Sequence, residues 1–296
     1  MKNLQDKCEQ STGLVWTQID SVERRSELSY EEFVREYMSA GKPVIITDVV
    51  ESWKASTKWN LDFFRSKYGS VKLRVQSYDP EEEFTRYERD FRTMKVTDYI
   101  DHITNTANDE FLYLRDLCVY DYPELLEDCK EPIYFNNWFT KLPFELRRKL
   151  FRDNGIFIGH RGTSIGLHYD LHYKITWIAV ISGRKKVTLF APDQGKYLYE
   201  GRVNCFNPNL EKFPLYAEAK PVECVLNQGE MLLIPPNWWH QLKNIEDTIA
   251  LVTSTINEWN YELYYRDLLE KFPIKGRLFP LMWKFPQLFR LLVSAF

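Results

Sequence analysis

Apolar and polar positions fall into two textures along the chain. In the first 150 residues, helical and strand patterns alternate. Ser29 precedes Glu32 by three in "LSYEEFVREYMSAGKP", the spacing of a capping box, which predicts a helix from Tyr30 to Ser39 that stops before Gly41 and Pro43. "PVIITDVV" (43–50) is a continuous apolar run and reads as a short buried strand. "WNLDFFRSKYG" has a helical pattern closed by Gly69, and "SVKLRVQSY" and "EFLYLRDL" (110–117) alternate as strands do. Residues 85–107 are polar and read as loop mixed with helix around "VTDYIDHI". No internal repeat or low-complexity linker interrupts the chain.

From about Phe157 the pattern changes to short strands separated by turn signals: "FIGHRG", "GLHYD", "TWIAVISG", "KKVTLFAP", "VECVLNQGEMLLIPP" and "TIALVTSTIN". Gly183 and Asn227-Gln228-Gly229 mark the clearest turns. Strands at this spacing predict a sandwich or a barrel. After Asn257 the pattern turns helical. Pro280 and Pro286 in the final stretch are expected to break any single long helix. Three regions result: an extension over 1–28, a main domain over 29–257 and a helical tail over 258–296.

Composition narrows the class. The 296 residues include 9 Trp, 18 Tyr and 19 Phe, enough apolar material for a sizeable core, and the net charge of −3 lacks the basic surplus of a generic nucleic-acid binder. Five scattered cysteines with no CxxC pair exclude zinc-finger and thioredoxin arrangements and read as isolated thiols in a reducing compartment. "MKNLQDKCEQSTGLVW" lacks the apolar centre of a signal peptide, and no run reaches the roughly 18 apolar residues that span a bilayer. A cytoplasmic enzyme or binding protein is the expectation.

The chemistry gathers around "GLHYDLHY". His168, Asp170 and His172 stand two apart, so strand alternation would put all three on one face. A solvated face tolerates that pattern; a metal site requires part of it. Two histidines and one carboxylate form the facial set that holds Fe(II) and leaves other positions open. With His168 and Asp170 as two ligands, a third must come from elsewhere among the five histidines. His240 follows the "GEMLLIPP" strand, which ends at Pro235-Pro236, and a turn carrying Trp238 and Trp239 is its expected mount.

The segments "GLHYD…SGRKKVTLFAPDQGKYLY…NQGEMLLIPPNWWHQ" resemble the Jumonji-C, or cupin-like, group of Fe(II)- and 2-oxoglutarate-dependent oxygenases. The resemblance extends upstream through "GKPVIITDVVESWKASTKWNLDFF", "FLYLRDL" and "EPIYFNNWF", and covers roughly residues 40–257. It implies a double-stranded β-helix, or jelly-roll, core that is mainly β, with N-terminal α/β elements and outer helices. It implies His168, Asp170 and His240 as iron ligands, and 2-oxoglutarate and O2 as co-substrates. Lys185, two residues after the turn glycine, would bind the distal carboxylate of 2-oxoglutarate. Tyr113 would hydrogen-bond that carboxylate, or serve as a plain core aromatic. Two departures weaken the co-substrate site: Ile165 stands where many relatives have Thr, and Ile178 where several have Asn. His172 reads either as a residue lining the pocket or as an exposed residue at the strand end.

The activity so implied is hydroxylation of a protein, peptide or amino-acid-derived substrate, with release of succinate and CO2. The alternatives are hydroxylation of a tRNA nucleoside, N-methyl demethylation, or binding without catalysis. The absence of a reader module or zinc cluster favours hydroxylation over chromatin demethylation. The tail over 272–296 is rich in Leu, Phe and Trp and carries Lys275, Arg277, Lys284 and Arg290. It packs on the barrel, forms a homodimer or lies at a membrane interface; burial within the protein or its dimer is the expectation, and membrane contact is not.

Overall fold

The computed structural model describes residues 13–78, 91–105, 110–150 and 154–287. Thirteen strands are found among them, in two sheets. In chain order they are β1 (Glu23–Arg25), β2 (Val44–Ile46), β3 (Lys72–Tyr78), β4 (Phe91–Lys95), β5 (Phe111–Cys118), β6 (Gly155–Gly159) and β7 (Ser164–His168). There follow β8 (Ile175–Ser182), β9 (Lys185–Phe190), β10 (Val222–Leu226), β11 (Met231–Ile234), β12 (Trp239–Asn244) and β13 (Thr248–Thr255). The larger sheet runs β1-β2-β11-β8-β13-β6-β5-β3-β4 and the smaller β10-β9-β12-β7. Every pair is antiparallel except β1–β2, where the N-terminal segment adds a parallel edge strand. This is the jelly-roll core expected from the sequence.

The helices are α1 (Tyr30–Phe33), α2 (Ala55–Lys58), α3 (Leu61–Tyr68), α4 (Val96–Thr104), α5 (Phe144–Leu150), α6 (Tyr261–Lys271) and α7 (Pro273–Lys284). Local chemistry sets their starts. Ser29 caps α1 with Glu32 in a complete capping box, and the helix continues through a wider turn, Val34–Met38. Asn60 caps α3 by accepting from the Phe63 N–H at 2.8 Å.

Strand alternation divides the interior. On β8, Ile175, Trp177, Ala179 and Ile181 face the helices, where Trp177 stacks on Phe135 at 5.7 Å. Ile178 and Val180 face the other way and meet Val187 and Leu189 of the small sheet, with Leu232, Ile234 and Ala250 beside them. This second cluster fills the space between the sheets. A third, formed by Leu167, Phe190, Leu198, Val203, Phe213 and Trp239, covers the outer face of the small sheet. Both sheets are therefore buried on two sides over much of their area, and the open end of the barrel is left for the site.

The Asn227–Gly229 turn separates two strands, β10 and β11, which lie in different sheets. Two sequence expectations change here. Within 85–107, read as loop mixed with helix, Phe91–Lys95 is strand β4, because it pairs along β3; residues 85–90 and 106–107 of that reading lie outside the described residues. Pro280 does not break the tail: it lies inside α7. Met282 is 3% exposed, and Trp283 stacks on Phe139 at 6.3 Å, so packing against the body outweighs the lost backbone hydrogen bond. Over its described part the tail meets the body through Met282 and Trp283. No helix among the described residues is long and apolar enough to cross a membrane.

Candidate metal centre

His168 and His240 stand directly opposite each other across the β7–β12 pair, with ring centroids 4.3 Å apart. His240 is thus mounted on a strand, not on the turn expected from the sequence. The turn is over by Asn237 and β12 begins at Trp239, one residue before His240, and the paired β9 and β7 on either side fix β12 in place. Asp170 lies just past the end of β7, not within it, yet its carboxylate reaches the same point. Oδ1 is 3.9 Å from His168 Nε2 and Oδ2 is 4.0 Å from His240 Nε2. One donor atom from each of the three residues falls within 4.8 Å of the others.

Backbone carbonyls set the imidazole tautomers. His168 Nδ1 lies 2.6 Å from the Gly166 carbonyl and His240 Nδ1 lies 3.0 Å from the Trp238 carbonyl. A carbonyl only accepts, so each Nδ1 carries a proton and each Nε2 is left facing Asp170. Asp170 Oδ2 is sealed from solvent and has no hydrogen-bond partner among the described residues. Burial by itself would raise the Asp170 pKa, but His240 and His168, helped by the Thr176 hydroxyl and Lys174, hold it below the ordinary carboxylate value. A buried, ionised carboxylate oxygen that faces two imidazole Nε2 atoms and has no hydrogen-bond partner among the described residues is satisfied by a cation. Metal–ligand bonds of about 2.1 Å let one ion bridge donors up to about 4.2 Å apart, so these residues fit a divalent metal. Two histidines and one carboxylate is the set that suits Fe(II) and leaves open positions.

The site opens into a cavity of about 740 Å³ that also exposes Lys185, Tyr113, Ile165 and Ile178. Lys185, at the start of β9, is 2% exposed. Its ammonium donates to Tyr113 Oη at 3.0 Å, to Thr248 Oγ1 at 3.2 Å and to Asn244 Oδ1. No carboxylate pairs with it among the described residues. Its neighbours point outward: Lys186 pairs with Glu223 at 3.0 Å and Arg184 with Glu246 at 2.5 Å. The face assignment made from alternation therefore holds. A buried ammonium ringed by neutral oxygens is suited to a carboxylate ligand.

Asn244 and Thr248 were not singled out from the sequence. Asn244 could have been, since alternation from His240 puts Leu242 and Asn244 on the same face, and Asn244 pairs directly with Lys185 across the sheet. Thr248 follows a loop and carried no signal. Ile165 and Ile178 do line the cavity, whereas Asn244 and Thr248 do not and act behind Lys185, each accepting from its ammonium.

His172 does not continue the alternation. β7 ends at His168, and His172 adopts the left-handed conformation (φ 63°, ψ 31°) in the turn Leu171–Tyr173. Its ring still borders the cavity, but Nδ1 meets Asp267 of α6 at 2.5 Å. His160 stacks on Phe111 at 5.3 Å, away from the cavity, and His102 bonds the Glu110 carbonyl.

Comparison with known proteins agrees with this geometry. A family model described as "Cupin-like domain" matches residues 30–262. The chain is 31% identical to the lysine-specific demethylase JMJ21 of Arabidopsis thaliana over 86% of this chain and 27% of that protein. It is 26% identical to the tRNA wybutosine-synthesizing protein 5 of Gallus gallus over 75% of this chain and 72% of that one. With the 2-oxoglutarate and iron-dependent oxygenase JMJD4 of Gallus gallus it shares 25% identity over 83% and 62%. The chain spans about a quarter of the first of these and under two thirds of the third. With a jelly-roll core, a two-histidine, one-carboxylate cluster at its open end and a family match over 233 of its residues (30–262), this chain belongs to the cupin-like, Jumonji-C family.

Proposed function

We propose that the chain is an Fe(II)- and 2-oxoglutarate-dependent oxygenase that hydroxylates a protein, peptide or amino-acid-derived substrate. The observation that carries the reading is one cavity holding both a metal-ready His168–Asp170–His240 cluster and a buried ammonium, Lys185, with no carboxylate partner among the described residues. Bound iron would supply the oxidising chemistry: O2 and 2-oxoglutarate are consumed, one oxygen atom enters succinate as CO2 leaves, and the other enters a substrate C–H bond. The chain's own groups do the rest. Lys185, with Tyr113, Asn244 and Thr248 around it, holds the distal carboxylate of 2-oxoglutarate. Ile165, Ile178, Leu242 and Val252 give that part of the cavity apolar walls that exclude water. The protonated Nδ1 atoms fix both imidazoles in orientation, and the Thr176 hydroxyl steadies Asp170.

A second reading, hydroxylation of a nucleoside in tRNA, is favoured by the tRNA wybutosine-synthesizing relative matched over most of both chains. The cavity mouth also carries Arg74, Arg115, Lys149 and Lys174 against Asp116. N-methyl demethylation would follow from the same hydroxylation step applied to a methyl on nitrogen. A binding protein without catalysis is disfavoured because all three donors are in place.

Turnover of 2-oxoglutarate to succinate, screened with candidate peptides, tRNA and small molecules, tests the proposal. Asp170→Ala should fold yet lose both stoichiometric iron and turnover; a variant that keeps both sinks it. We also propose a cytoplasmic location, in keeping with the free thiols of Cys118, Cys129, Cys205 and Cys224, which cell fractionation would check. For partners we propose a second copy of the chain seated on α7. Ile274, Leu278, Leu281 and Phe285 are all exposed there and lie three or four residues apart, on one stripe.

A further inference from the structure

The strand that delivers His168 stops there, and the chain leaves the site through an unusual turn. His172 and Tyr173 are consecutive, neither is glycine, and both have positive φ, 63° and 51°. Such backbone is unfavourable for residues with side chains and persists only where the surroundings hold it. Helix α6 does the holding. The His172 Nδ1–H donates to Asp267 Oδ2 at 2.5 Å. Asn260, at the start of α6, donates from Nδ2 to the Tyr173 carbonyl at 2.9 Å. The His172 ring lies 5.9 Å from that of Tyr264 and 6.2 Å from that of Phe272. Asp267 is itself steadied by Lys271, one turn further along the helix, at 2.7 Å.

We propose that Asp267 is a positioning residue for the metal centre. By pinning His172 it keeps the left-handed turn that begins two residues after Asp170, and so fixes the direction of the Asp170 carboxylate. The same tie sets the wall that Leu171 and His172 give the cavity mouth. Asp267 lies beyond the matched region 30–262, so part of the helical tail becomes part of the site. The inference rests on reading His168, Asp170 and His240 as metal ligands.

The test is Co(II) binding to the full-length chain, followed by the visible absorption of the bound ion, with unfolding midpoints measured alongside. Wild type should bind one equivalent. Asp267→Ala should bind about tenfold or more weakly, as losses of partners that orient metal ligands do. Asp267→Asn should stay within about threefold of wild type, since its amide oxygen still accepts from Nδ1–H. Lys271→Ala should match wild type, because it leaves the His172 bond intact. If Asp267→Ala does not fold, His172→Ala removes the same tie from the other side and should show the same loss. Wild-type affinity in whichever of these two variants folds overturns the proposal. So does a Lys271→Ala loss as large as that of Asp267→Ala, which would mean that the helix acts only as a whole. A wild-type chain that binds no metal would instead overturn the ligand assignment itself.

Discussion

Replacing Lys185 by methionine keeps most of the length and volume of the side chain and removes its ammonium and charge. In the folded protein the ammonium is 2% exposed and rests on three neutral oxygens, those of Tyr113, Asn244 and Thr248. Removing it takes away a buried charge and three hydrogen bonds together, so the ligand-free protein should change in stability by about 1 kcal/mol or less. Binding of 2-oxoglutarate should change far more. A hydrogen bond to a charged group contributes about 1.5–3 kcal/mol, which weakens affinity about 10- to 150-fold. Thermal unfolding reads this directly, with a redox-inert divalent metal in place of iron. At a ligand concentration 100 times the wild-type Kd, wild type gains about 2.7 kcal/mol, while a variant binding a hundredfold more weakly gains about 0.4 kcal/mol. The missing 2.3 kcal/mol corresponds, for a chain of 296 residues, to a Tm rise smaller by roughly 4 °C. Lys186→Met is the control, because Lys186 is 40% exposed and pairs with an exposed Glu223. Equal ligand shifts in wild type and Lys185→Met, or equal losses in the two variants, would refute the assignment of Lys185.

Three further outcomes follow from the same structure. Gly183 has φ +77°, and an added Cβ would lie 2.0 Å from the Asp247 carbonyl oxygen; Gly183→Ala should cost about 3 kcal/mol in urea unfolding, and an unchanged midpoint would contradict the turn geometry. Burial pushes the Cys224 thiol up to about 11 and the Cys205 thiol up to about 12. The neutral thiol is thus favoured below those values, about one part in a thousand or less is thiolate at pH 8, and native protein should resist iodoacetamide at both sites until urea is added; rapid native labelling would count against that burial. For the proposed dimer, Leu278→Asp with Leu281→Asp should give monomers in sedimentation without lowering Tm, whereas truncation at Lys271 would also strip the buried Met282; a wild-type chain that stays monomeric at high concentration rules the dimer out.

Properties that belong to a few neighbouring residues were legible in the sequence. The Ser29–Glu32 capping box is one. The inward direction of Lys185 between outward Arg184 and Lys186 is another, because alternation is a property of the strand alone. His168, Asp170 and His240 were legible as residue types, since few side chains can hold Fe(II). Where each sits was decided by pairing and packing. His240 lies in "WWHQLKN", which shows no alternation because both faces of the small sheet are covered, so β12 was invisible until β7 and β9 framed it. Pro280 stays within α7 because Met282, Phe279 and Trp283 find partners on the body, a gain that local propensity does not contain. His172 meets Asp267 from 95 positions away, and no local pattern records such a contact. That contact holds a left-handed turn which the residues of "DLHYK" would not adopt by themselves, so the turn after Asp170 is a product of the tertiary structure.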